Sequence, residues 1–169
     1  MKSQDLRFMV RDARTGDAPE LCDLLNAIIQ IGGTTAFETP FGVAEFEEQF
    51  LAGPQVMNCF VAEDERRRRL WGFQILERDP ELPGDWADIA TFARPEPKIP
   101  GIGAALFAAT AKRARELGLR AINATIRADN GGGLAFYGKL GFEDYKVTQS
   151  VPLKDGTPVD RVFKRYWVR

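Results

Sequence analysis

One hexamer has the residue types of an anion cradle: Lys98-Ile99-Pro100-Gly101-Ile102-Gly103. It follows an apolar stretch, Trp86 to Ala93, that reads as a buried strand. It precedes an Ala- and Leu-rich stretch, closed by Gly118, that reads as a helix. A glycine loop opening a helix presents main-chain N–H groups with no partner inside the helix, and the helix dipole favours negative charge there. Gly101 and Gly103 carry no side chain to hold an anion off the backbone. Three phosphate-loop patterns can be tried on it. A P-loop needs Gly-x4-Gly-Lys-Ser/Thr, and no Lys-Ser/Thr pair follows these glycines. A dinucleotide fingerprint needs a third glycine where this chain has Leu106. Arg/Gln-x-x-Gly-x-Gly/Ala fits as Lys98-x-x-Gly101-x-Gly103, with Lys in the first place. An ordinary strand-to-helix turn also satisfies so short a pattern.

The chain has no histidine. Any general base must be a carboxylate, a tyrosine, a cysteine or a relayed water. Histidine-dependent triads and most zinc hydrolase sites are excluded. The two cysteines, Cys22 and Cys59, lack metal-ligand spacing and read as reduced, buried thiols, so no metal site is expected.

These groups need a scaffold, and the totals fit one domain spanning residues 1–169, with 44% apolar and 28% charged residues. A net charge of −1 gives no electrostatic case for nucleic acid or an anionic membrane. No apolar run approaches the roughly 18 residues of a membrane helix, and Met1 to Asp5 lacks the apolar core of a signal peptide. A cytoplasmic protein is expected.

Arg7 to Arg14 reads as a first strand. Thr15 or Asp17 can cap a helix carrying the stripe Leu21, Leu24, Leu25 and Ile28, which Gly32-Gly33 stops. Pro40 keeps Thr34 to Thr39 an extended loop. Val43 to Leu51 reads as a short helix with Phe46 and Phe50 four apart. Met57 to Ala62 and Leu70 to Leu76 form a hairpin whose charged tip, Glu63 to Arg69, reads as solvated, since three acids precede the four arginines and no aromatic interleaves them. After the central strand, loop and helix come a strand (Ala121 to Ile126), a helix capped by Asp129 or Asn130, and two closing strands around Lys154-Asp155-Gly156-Thr157. The order β-α-α-β-β-β-α-β-α-β-β predicts an α/β domain with a mixed sheet.

The segment Asp129-Asn130-Gly131-Gly132-Gly133-Leu134-Ala135-Phe136-Tyr137-Gly138-Lys139-Leu140-Gly141-Phe142 adds a second pattern: Asn, then Tyr seven residues on, then Lys-Leu-Gly-Phe. Together with the glycine loop it resembles the GNAT superfamily of N-acetyltransferases, over nearly the whole chain. Thr34 to Thr39 is similar to the acceptor-side stretch of the phosphinothricin N-acetyltransferase group. Leu82-Pro83-Gly84-Asp85-Trp86 departs from that group's Arg-x-x-Tyr segment, which sets phosphinothricin itself apart as acceptor.

The resemblance implies a mostly antiparallel sheet flanked by helices, with acetyl-CoA as co-substrate and a small-molecule amine as acceptor. It implies that backbone groups of Thr91, Phe92 and Ala93 hold the pantetheine arm, and that Lys98, Ile99, Gly101, Ile102, Gly103 and Ala104 hold the pyrophosphate. Pro100 supplies no N–H there. It implies Asp88 as base, directly or through water, and Tyr137 as the acid that protonates the departing thiolate. Asn130 bonds the pantetheine or caps its helix. Phe37 and Glu38 are acceptor-side candidates, and a homodimer is plausible. Asp88 lies in a stretch that otherwise reads as buried, where a lone carboxylate takes a raised pKa; pairing with an Arg or a place at the sheet edge is the other reading. Gly131-Gly132-Gly133 predicts close ligand approach or a mobile first turn. A non-catalytic acyl-CoA sensor, or an enzyme acting on protein N-termini or lysines, would share these patterns.

Overall fold

The computed structural model describes residues 7–169; the stretch 1–5, read for its lack of an apolar core, lies outside them. Seven strands form one sheet: β1 (Phe8–Asp12), β2 (Val56–Asp64), β3 (Leu70–Glu77), β4 (Trp86–Ala93), β5 (Ala121–Arg127), β6 (Glu143–Pro152) and β7 (Pro158–Trp167). Their order is β1-β2-β3-β4-β5-β7-β6. Only the β4–β5 pair is parallel. Four helices cover the sheet: α1 (Ala18–Ile31), α2 (Val43–Glu47), α3 (Ile102–Glu116) and α4 (Gly131–Lys139). The expected element order and mixed sheet are both present.

Strand alternation assigns each face. Ala87 and Ile89 of β4 join Leu76, Ile122, Phe107 and Ala111 under α3, whereas Ala90 and Phe92 join Phe73, Ile75 and the α1 stripe. On the α1 side, Phe46, Phe50, Phe73 and Phe92 stack edge-on or tilted, with centroids 4.8 to 6.1 Å apart. Each such buried ring contributes about 1.5–3 kcal/mol of transfer free energy. This cluster fastens α2 and the 34–41 loop, through Phe37 and Phe41, onto the site's side of the sheet.

Two local expectations change. Asp17 does not cap α1 through its side chain; its carboxylate instead accepts two bonds from Arg11, both 2.9 Å, and one from the Arg14 N–H. A bidentate guanidinium partner outcompetes an exposed cap. The second helix is α-helical only to Glu47 and ends as a π turn, Glu48–Ala52. Gly53 there folds so tightly onto the Glu48 carbonyl that no Cβ fits. Of the Glu63 to Arg69 tip, residues 65–69 are exposed as expected, but Glu63 and Asp64 end β2 and are buried, Glu63 against Arg11 and Asp64 under the Arg66 and Arg67 N–H groups of the turn.

Candidate active site

β4 and β5 pair over only three positions: Trp86 with Ala121, Ala87 with Ile122, and Asp88 with Asn123. Beyond Asp88, β4 stays paired with β3 and β5 with β7, so the two strands part. The β5-facing amide groups of Ile89 to Ala93 therefore lack a ladder partner. A cavity of about 810 Å³ occupies the gap and runs on to the 98–104 loop.

The parting brings groups from both faces of the sheet to one space. Asp88 sits on the α1 face, opposite Glu77 of β3. Thr91 lies on the other face, where Tyr137 descends from α4 and its oxygen approaches Thr91 Oγ1 at 2.9 Å. All four side chains line the cavity. An unbroken sheet would separate them.

Burial pushes the Asp88 carboxyl up from 3.8 to about 7; the amide of Asn123, donating at 2.7 Å, opposes this, and the charges of Glu77 and Asp79 add to it. The Asn123 carbonyl in turn accepts from Tyr145 Oη. Asp88 pairs with no arginine among the described residues, and its strand is internal. Burial and the charge of Asp79 also raise Glu77. Burial raises the Tyr137 phenol, against the pull of its Thr91 bond, so the phenol keeps its proton near neutrality.

At the other end Gly101 caps α3 with φ +85° and open space where a Cβ would point. No side chain caps this helix start. The first-turn N–H groups of Ile102, Gly103 and Ala104 precede the first intrahelical bond, Ala105 N–H to Gly101 O at 3.0 Å. The two glycines divide their labour. Gly101 supplies the left-handed turn, while a Cβ on Gly103 would come 2.5 Å from the Phe136 ring, so Gly103 is small in order to seat α4 against α3. Lys98 is exposed at this mouth, and Ile99 and Pro100 line it.

Thr91, Phe92, Ala93, Phe37 and Asn130 also line the cavity. Asn130 caps α4, its Oδ1 accepting from the Gly133 N–H at 2.9 Å, while its Nδ2 donates to Thr34 O at 3.0 Å. A Cβ on Gly133 would come 2.5 Å from that amide, which accounts for the last glycine of the triplet. Glu38 does not line the cavity; it is exposed and accepts the Lys154 N–H at 2.8 Å, tying its loop to the β6–β7 turn.

Several site residues were not picked out from the sequence. Glu77 and Asn123 are register partners of Asp88, visible only once strands are paired. Arg127 is saturated by Asp129, at 2.9 and 2.7 Å, and by Thr35 O at 3.1 Å. Its cross-strand partner Arg161 is 9% exposed and lines the cavity. Its guanidinium has only a 3.4 Å bond to Val159 O and no carboxylate within ion-pair distance among the described residues, though it is near enough to Asp129 to help hold that carboxyl down. Cys22 and Cys59 are free and buried, burial raises both thiols, Cys59 to about 12, which disfavours the thiolate, and neither lines the cavity. No cluster of three or more Cys, Asp or Glu able to hold a metal occurs among the described residues, and no helix among them is long and apolar enough to cross a membrane.

The family profile described as "Acetyltransferase (GNAT) family" matches residues 23–142. The chain belongs to this family. No curated protein matches its sequence. Among solved structures it is similar to an N-acetyltransferase from Staphylococcus aureus Mu50, with TM-score 0.83 and 18% identity over 96% of this chain and 99% of that one. A GNAT superfamily phosphinothricin acetyltransferase from Sinorhizobium meliloti, in complex with acetyl-CoA, matches with TM-score 0.82 and 24% identity over 95% of this chain and 88% of that one. A GCN5-related N-acetyltransferase from Kribbella flavida matches with TM-score 0.81 and 21% identity over 95% and 97%.

Proposed function

We propose that the protein transfers an acetyl group from acetyl-CoA directly to the primary amine of a small molecule, an amino acid or an analogue of one. The observation that carries this reading is the parting of β4 and β5, which lets a carboxyl poised at about 7 and a buried phenol on opposite sheet faces reach one cavity ending at open helix amides.

The loop fits a diphosphate. The N–H groups of Gly101, Ile102, Gly103 and Ala104 hold it, Lys98 adds positive charge, and the open side of Gly101 allows close approach. Bound acetyl-CoA supplies a thioester carbonyl to the gap. The unpaired amides of β4 from Thr91 to Ala93 receive the pantetheine arm as a strand receives a neighbour, and one such N–H polarises the carbonyl.

An alkyl ammonium, with a pKa near roughly 10, must lose a proton before it attacks. Asp88 takes that proton, directly or through a water, and its raised pKa matches it to work near neutrality. Tyr137 returns a proton to the departing sulfur. Phe37 walls the acceptor side. Arg161, buried and in no close ion pair of its own although Asp129 lies within its electrostatic reach, receives the acceptor's carboxylate.

The test is thiol release from acetyl-CoA with a panel of amino acids, their decarboxylated amines, polyamines and peptides. Turnover led by amino acids supports the reading. Tight coenzyme A binding with no release from any amine would make the protein a sensor, and turnover led by peptides would move the acceptor to protein.

A further inference from the structure

Gln74 is fully buried, at 0% exposure, on the face of β3 that otherwise packs apolar groups under α3. It is the cross-strand partner of Thr91. Its Nε2 donates to Thr91 Oγ1 at 2.9 Å, and that oxygen lies 2.9 Å from Tyr137 Oη. The Gln74 Oε1 has no hydrogen-bond partner among the described residues. In this orientation the oxygen and one amide proton are unpaired, whereas turning the amide over would leave both protons unpaired, the costlier arrangement. The orientation with Gln74 as donor is therefore the favoured one.

That orientation has a directional consequence. A hydroxyl has one proton to donate. Thr91 Oγ1 could accept from both neighbours, but a hydroxyl that accepts from Gln74 is the stronger donor, so the cooperative chain in which Thr91 gives its own proton to Tyr137 Oη is favoured, and in it the Tyr137 proton is turned away from Thr91. Thr91 and Tyr137 both line the cavity, whereas Gln74 does not. The Tyr137 proton therefore faces the space into which the sulfur departs.

We propose that Gln74 is a positioning residue: acting through Thr91, it fixes the direction of the Tyr137 hydroxyl so that its proton meets the leaving thiolate. The inference rests on the reading of Tyr137 as the acid. In the step, the acyl C–S bond breaks and its electron pair goes to sulfur. Sulfur takes the Tyr137 proton, and the phenolate left behind keeps the Thr91 O–H bond until solvent returns a proton. Without Gln74 the Thr91 hydroxyl is free to rotate and accept the Tyr137 proton itself, which turns the acid off its target.

The test is a double-mutant cycle on kcat and on each KM, using Gln74→Met, Thr91→Val and Tyr137→Phe with acetyl-CoA and the best amine of the panel. Gln74→Met and Thr91→Val are each expected to lower kcat about five- to fiftyfold, part of a general acid's full effect, with both KM values within about twofold. In the Tyr137→Phe background neither should add more than about twofold. An equal loss in that background would reduce Gln74 to packing and overturn the inference. So would an unchanged kcat in Gln74→Met while Tyr137→Phe is impaired; the acid reading would then survive alone. An unchanged rate in Tyr137→Phe itself would remove the acid reading and this inference with it. Should Gln74→Met not fold, Gln74→Leu takes its place in the same cycle, and an unchanged kcat in it would overturn the inference.

Discussion

The two ends of the cavity are made of different material. At the α3 end the groups open to a ligand are main-chain amides, exposed by one left-handed glycine and left uncapped. At the end we propose for the acceptor they are ionisable side chains drawn from separate strands: Glu77 from β3 and Asp88 from β4, with Arg161 of β7 four residues further along the fork. The first kind of site needs only a local sequence of glycines and a helix start. The second needs strands brought into register, and it perturbs pKa values because it buries charge. Substitutions at the acceptor end should therefore change rate and specificity, whereas those at the amide end should change cofactor affinity.

The largest expected effect tests that division directly. Asp88→Asn should lower kcat by about 10²–10⁴-fold, the range of general base catalysis, while calorimetry shows acetyl-CoA affinity within about twofold. In the parent enzyme kcat/KM should climb with pH and level off above about 7, where Asp88 is ionised. An unchanged rate in the variant would remove Asp88 from the chemistry.

Arg161→Gln should follow. KM for amino acids should rise about 10–100-fold, while amines without a carboxylate should be used as before, the loss expected for one charged hydrogen-bonded pair. Equal losses on both classes would place the arginine outside recognition.

The same carboxylate should also register in stability. Folded, Asp88 holds its proton up to about 7; unfolded, it releases it near 3.8. The folded state binds more protons in between, so stability falls as pH rises through that window. Asp88→Asn should therefore be more stable than the parent by about 1–3 kcal/mol near pH 8, with the gain gone below about pH 4, read as urea midpoints at several pH values.

The smallest effect belongs to the amide end. Gly101→Ala places a Cβ on a residue at φ +85°. It should weaken acetyl-CoA binding about tenfold and cost about 1 kcal/mol of stability, without moving acceptor KM or the pH profile. A shift in acceptor specificity would break the contrast between the two ends.

The same contrast sorts what could be read from the chain. The element order, the Gly101 helix start and the Tyr137 pattern were legible because each is written in consecutive residues. The purpose of Gly103 and Gly133 was not: both make room for side chains, Phe136 and Asn130, whose direction is set by tertiary packing. Asp17 read as a cap, but Arg11 on the neighbouring strand claimed it. Glu77, Asn123, Gln74 and Arg161 stand in stretches with nothing local to mark them, and they meet the site only through β-ladder pairing.

Strands β1 to β4 and β5, β7 and β6 are two half-sheets whose shared ladder covers three residue pairs, with one more backbone bond, Arg120 N–H to Asp85 O, at its closed end. An extended ligand lying in the fork acts as a strut, splinting halves that the backbone itself joins only at the crotch. Occupancy should then be legible in slowed exchange at the β5-facing amides of Ile89, Thr91 and Ala93, well before any product forms.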